Sequence, residues 1–217
     1  MNHSRLTPAA TVSKTSSAAT SRPGVAKPMT FGAISFGSVS VLAYSIWAFK
    51  LVPGTAALYS TIAAVFIGVG GLALSRLVHT PGAWKRFPLV FALAFLAFAI
   101  CWCAFWFGLN GKHRADLWGA AVGLLAMTWV MRRALHSDAA LLPAFAVLFT
   151  CHMLGYTLGD ELYAAVRGTG GRLLWGAAHG LGFGAGLGYV IIQCQHAPRK
   201  NAVTSDAAET SGGQTSL

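Results

Sequence analysis

Between residues 31 and 192, Lys, Arg, Asp and Glu fall in short clusters that separate six long apolar runs: 31–49, 56–74, 88–109, 117–131, 139–158 and 173–192. A run close to the ~20 residues that cross a bilayer core reads as a transmembrane helix. The composition agrees. Of 217 residues, 55% are hydrophobic and 10% charged, and the mean hydropathy is +0.58. Soluble domains carry about a quarter charged residues. The expected fold is therefore an all-α integral membrane protein, a polytopic bundle of six transmembrane helices over residues 31–193. The fourth run is the shortest, but Trp118 opens it and Trp129, Arg132 and Arg133 close it. Tryptophan favours the membrane interface and arginine snorkels to headgroups, so both ends are anchored as a span requires.

The net charge of +10 is distributed in a way that excludes a nucleic-acid reading. Arg5, Lys14, Arg22 and Lys27 precede the first run; Arg76, Lys85 and Arg86 follow the second; Arg132 and Arg133 follow the fourth; Arg199 and Lys200 follow the sixth. The alternate side holds only Lys50, Lys112, Arg114, Arg167 and Arg172. The positive-inside rule places both termini in the cytoplasm, as an even number of spans allows. A bacterial inner (plasma) membrane is the expected location and the lipid bilayer the first partner. The basic excess adds some attraction to anionic lipid.

Residues 1–30 are rich in Ser, Thr, Ala and Pro and contain no acid. With too little apolar surface to fold, they read as a disordered cytoplasmic tail, and residues 194–217 read the same way. An acid-poor, Ser-rich, basic N-terminus also fits an organellar transit peptide, which would imply an organellar membrane. No inverted or parallel repeat relates the first three runs to the last three. Short connections predict sequential antiparallel packing. Function is then expected of the bundle itself.

The sixth run contains "GAAHGLGFGAGLGYVII", with six glycines around a single histidine. Gly176, Gly180, Gly184 and Gly188 recur every four residues, and Gly182 and Gly186 form a second pair. Residues four apart lie one turn above another, so they make a smooth groove along the helix. Helices in lipid associate through close packing, which small residues permit. Gly119 with Gly123, and Gly155 with Gly159, offer further small-residue surfaces, while Gly68, Gly70 and Gly71 loosen the second run. The groove is expected to pack within the bundle, on a second copy, or on another membrane protein. A flat ligand such as a haem or a quinone would also fit one.

Of seven histidines, only His152 and His179 lie inside apolar runs. The fifth run leads outward and the sixth back inward. Each histidine stands six residues from its run's outer end, roughly 9 Å deep at 1.5 Å per residue. They thus share a depth on consecutive antiparallel helices. Ionisable residues within spans usually face the bundle interior and raise a functional-site hypothesis. Three arrangements suit the pair. They can hydrogen-bond to each other, to Tyr156 or to backbone carbonyls. They can be axial ligands to haem b, or bind a transition metal such as copper or zinc with Cys151 or a carboxylate. With Tyr156, Asp160 and Glu161 they can form a polar path for protons or a small solute. The two thiols of "CWC", Cys101 and Cys103, point in different directions on a helix and read as small hydrophobes.

The segment "AAHGLGFGAGLGYV" resembles the histidine-bearing, glycine-rich final core helix of rhomboid intramembrane proteases over about fourteen residues. That family pairs its histidine with a serine in a Gly-x-Ser-Gly context on an earlier helix. The fourth run, "DLWGAAVGLLAMTWVM", contains no serine. A serine nucleophile needs a base within hydrogen-bond reach, and here the base has no serine to serve. Three function classes are left: a non-enzymatic bundle with an accessory or assembly role, a haem- or metal-binding redox component using His152 and His179, and a small-solute or proton transporter.

Overall fold

A computed structural model describes residues 24–79 and 82–197. The described residues form an all-helical fold: α1 (Ala26–Ala48), α2 (Thr55–Leu77), α3 (Ala83–Gly108), α4 (Ala115–Ala134), α5 (Leu141–Val166) and α6 (Gly168–His196). Four of these, α1, α2, α3 and α5, are long and apolar enough to cross a membrane. Asp116, Arg132 and Arg133 in its end turns dilute the apolarity of α4, and glycine and His179 dilute that of α6.

Every helix is longer than its apolar run by four residues or more, because polar groups at a membrane boundary can stay helical as long as water or neighbours satisfy them. The first helix begins at Ala26, inside the segment expected to be disordered, with Pro28 in its first turn, where a missing N–H costs nothing. The sixth likewise runs on to His196. The rest of the two tails, residues 1–23 and 198–217, lies outside the described residues. The expected connection between the fifth and sixth runs is nearly all helix. The chain turns at Arg167, whose φ of 55° carries α5 directly into α6. Asp160 and Glu161 accordingly sit on α5 itself.

α6 buries more of its residues than any other helix and packs most extensively against α1 on one side and α5 on the other. Its glycines explain how. A Cβ on Gly176 would meet Tyr44, on Gly180 Ser40, on Gly184 the Gly32 carbonyl, and on Gly188 the Pro28 carbonyl. Ascending order on α1 pairs with descending order on α6, so the two helices are antiparallel. Gly182 faces Gly155 and the Cys151 carbonyl, and Gly186 faces Leu148, which is a second ladder against α5. The Ser40 hydroxyl donates to the Gly176 carbonyl at 2.7 Å across the first seam. Both glycine series are therefore consumed within the bundle. Gly119 and Gly123 lie against Trp102 and Phe98 of α3.

A helix enclosed this way needs little apolarity of its own, and the lipid-facing side chains are supplied by its neighbours. Leu89, Leu93, Leu96 and Ile100 form an exposed stripe on α3 at steps of four, three and four. The interior is aromatic: Phe36 stacks on Phe66 at 5.3 Å and meets Phe183 edge-on at 5.3 Å. In α2 the helix widens into a π-helical turn at Phe66–Gly70, where Gly70 admits the Phe36 and Phe91 rings. At the end where α1 begins and α6 ends, Gln195 Nε2 donates to the Leu77 carbonyl at 2.9 Å, and the Asp138 N–H donates to the Ala197 carbonyl at 2.7 Å. These contacts tie α2, the α4–α5 connection and α6 together.

At the other end, Arg172 Nη1 donates to the Trp47 carbonyl at 3.3 Å and its guanidinium lies 5.0 Å from the Trp47 ring centroid. A cation at a helix C-terminus, a charged hydrogen bond and a cation–π contact add up modestly. Arg172→Ala should cost about 1–2 kcal/mol of stability, read as a lower thermal midpoint in detergent. Arg172→Lys should recover only part of it, since a lysine lacks the planar fork.

Candidate chamber between the helices

His152 and His179 meet. Their ring centroids lie 5.0 Å apart at 77°, edge to face, and the residues are 2% and 7% exposed. Local sequence makes the meeting possible: Gly155 and Gly182 pack backbone to backbone, which draws α5 and α6 close enough for short side chains to touch. Both imidazoles line a cavity of about 150 Å³ built by α1, α2, α3, α5 and α6. Tyr44 comes from α1, Tyr59 from α2, Trp102 and Cys103 from α3, Tyr156 from α5, and Trp175 from α6. Phe66, Phe95, Phe98 and Phe183 lie one or more turns deeper. The rings interlock. Trp175 lies 4.9 Å from His179 and 4.8 Å from Tyr44, and Phe183 lies 4.9 Å from His152.

The polar accounting of this chamber is incomplete. Nδ1 of His152 and Nδ1 of His179 are both sealed in the protein without a hydrogen-bond partner. Neither ring donates to or accepts from the other, and neither bonds to Tyr156, although all three side chains are adjacent. The interhelical hydrogen bond expected from the sequence is thus replaced by ring packing. With Nδ1 sealed, Nε2 is the nitrogen each imidazole can offer to the cavity. Buried without a counter-ion, both imidazoles are held neutral.

The geometry also bears on cofactors. Two imidazoles ligating one iron from opposite faces, with bonds of ~2.0 Å, need ring centres about 6 Å apart and a porphyrin between them. At 5.0 Å and in direct contact, these rings leave no slot. Cys151 is half-buried and is absent from the chamber wall, its carbonyl turned toward Gly182. Among the described residues no three His, Cys, Asp or Glu side chains form a set that could hold a metal ion. Asp160 accepts from Trp175 Nε1 at 2.7 Å, so it holds the indole over His179. Among the described residues no hydrogen bond continues from there to either imidazole. Glu161 is exposed and stands apart from the chamber.

Sequence reasoning passed over Tyr44, Tyr59, Trp102 and Trp175, and took Cys103 for a small hydrophobe. The available signal was a surplus of Tyr and Trp near the ends of the runs expected to face outward, which reads equally well as an interfacial belt. No protein-family model, curated protein or solved structure matches this chain.

Proposed function

We propose that this protein is a six-span membrane bundle with both termini in the cytoplasm, and that it holds a small ligand in the aromatic chamber of its outer half without transforming it. The observation that carries this reading is the orphaned pair of imidazoles on one cavity wall. Buried polar groups are almost always hydrogen-bonded, and leaving one unpaired costs about 1–3 kcal/mol. The Nδ1 atoms are sealed from the cavity, but each ring also leaves an Nε2 toward it with no hydrogen bond from the chain, and these two groups call for a partner that the chain does not itself provide. An accessory role fits, since the described residues of the chamber include no hydrogen-bonded nucleophile–base pair and the glycine seams are spent inside the bundle. α4 and α6 count as spans because neighbours, rather than their own composition, shield them from lipid. The excess of Lys and Arg at one end sets the orientation.

Mass spectrometry of protein extracted from its own membranes in mild detergent, with metal analysis and an absorption spectrum, tests the reading. The wild type should retain a small organic molecule that a His152→Leu/His179→Leu variant lacks. A Soret band or stoichiometric metal lost in that variant would instead establish a redox centre. An empty wild type would remove the ligand-holding role. Orientation has its own check. Single cysteines at Lys112 and at His136, placed in a cysteine-free background that folds, should label from outside the cell and only after lysis, respectively.

A further inference from the structure

Building on that reading, we infer that the ligand is a lipid-soluble single-ring quinone, which enters from the bilayer between α2 and α3. Size comes first. An apolar cavity of 150 Å³ accommodates one benzene-sized ring, and the chamber's volume is about 150 Å³. A single six-membered ring matches that volume more closely than a fused pair does, and a porphyrin exceeds it. The walls select flatness, because they are built from rings packed edge to face, an arrangement that takes in another planar ring readily.

Polarity comes next. Nδ1 of each histidine lies sealed in apolar surroundings with no group to receive a proton. The proton of each neutral imidazole is better placed on Nε2, where the cavity can hold an acceptor, so His152 and His179 each present one N–H donor. A carbonyl oxygen has two lone pairs and can accept from both. A ring bearing a carbonyl therefore gives both Nε2–H groups an acceptor with one atom, while the sealed Nδ1 atoms stay as they are. Tyr59 and Cys103, on α2 and α3, line the same cavity and remain available to a second carbonyl.

The route follows from exposure. Tyr59 lines the chamber and is nevertheless 43% exposed, so it stands at the mouth. The stretch Thr55–Val65 of α2 buries none of its residues. That half of the helix lies loosely on the bundle, directly above the π-helical turn Phe66–Gly70, a feature frequent at functional sites. Tyr59 meets Phe107 of α3 edge-on at 6.3 Å, bridging the gap near its outer end. A mouth in the outer half of the bilayer, facing lipid, admits a ligand that partitions into lipid and leaves room for its tail to remain there.

The test is saturable thermal stabilisation of the detergent-purified protein by three probes with the same tail: 2-decyl-1,4-benzoquinone, 2-decyl-1,4-naphthoquinone and decylbenzene. The benzoquinone should bind at least tenfold more tightly than either of the others. Its affinity should fall tenfold or more in the His152→Leu/His179→Leu variant, consistent with loss of hydrogen bonds of about 1 kcal/mol each. Ala99→Phe, which fills the chamber from α3 and leaves both histidines in place, should abolish binding. Equal binding of decylbenzene would overturn the quinone assignment and leave a lipophile-binding chamber. Failure of all three probes, with another small molecule still co-purifying, would overturn the assignment while the ligand-holding role stands. Failure of all three with an empty wild type would sink both.

Discussion

Gly184→Ala should lower the thermal midpoint of the bundle sharply, and Gly184→Val should prevent its isolation as a monodisperse species. The added Cβ of Gly184→Ala would fall on the Gly32 carbonyl oxygen, with the Gly32 carbonyl carbon and Phe36 Cβ each 2.8 Å away. None of these atoms is the far end of a flexible side chain. Relief requires α1 to move away from α6 along a seam that also includes Gly180 against Ser40 and Gly188 against Pro28. Overpacking typically costs about 1–3 kcal/mol and more where backbone must shift. The gain in helix propensity from Gly to Ala, about 1 kcal/mol in water, is smaller, and in lipid the helix persists regardless. Gly108→Ala is the control. Gly108 stands at the end of α3, with no heavy atom within 4 Å of the point its new methyl would occupy, and the change should leave the midpoint unchanged or slightly raised. Thermal unfolding in one detergent, with all variants side by side, decides the matter. A Gly184→Ala midpoint equal to wild type would mean that the α1–α6 seam is not as close as described.

The glycine periodicity could be read directly because a period of four on a helix has one geometric meaning. Which helix receives which series could not. Gly176, Gly180, Gly184 and Gly188 face α1, and Gly182 and Gly186 face α5, a division that depends on how α6 is wedged between them. The same holds for length. Apolarity marks the part of a helix that meets lipid, so the runs stop short at Leu158 and begin late at Leu173, while the helices run on to Val166 and back to Gly168. α6 falls below the apolarity of α1, α2, α3 and α5 for a related reason, since composition registers lipid contact and not enclosure by neighbours.

The site was half legible. His152 and His179 stood out because an ionisable group in an apolar run is rare, and counting residues from each run's end placed them at one depth. Their meeting at 5.0 Å is what that arithmetic implies once the Gly155–Gly182 contact closes the helices together. The remainder of the chamber was hidden. Tyr44, Tyr59, Trp102 and Trp175 come from four helices, and no spacing rule connects them. Hydrogen bonding was equally out of reach. Sequence suggests that adjacent imidazoles bond to each other, whereas the ring orientation, set by Phe183 and Trp175, turns them edge to face.

That orientation leads to a result opposite to the usual effect of altering a buried polar residue. Replacing His152 or His179 by leucine should raise the thermal midpoint of the ligand-free protein. Substitution of a hydrogen-bonded histidine would strand its partner and cost stability, but among the described residues no partner exists to be stranded. Leucine is close to histidine in size, packs among Phe98 and Phe183 without a polar atom, and removes a desolvation penalty of about 1–3 kcal/mol per orphaned group. The double variant should gain roughly the sum if the two sites act independently; because the rings touch, some coupling of either sign is expected. The same change deletes both donors facing the cavity, so stability and ligand retention should move in opposite directions, a trade characteristic of binding sites. Midpoints measured on ligand-free wild type and on the single and double variants separate the alternatives. A drop of several degrees in both single variants would show that the imidazoles are bonded within the bundle, and the chamber would then be a packing feature rather than a site.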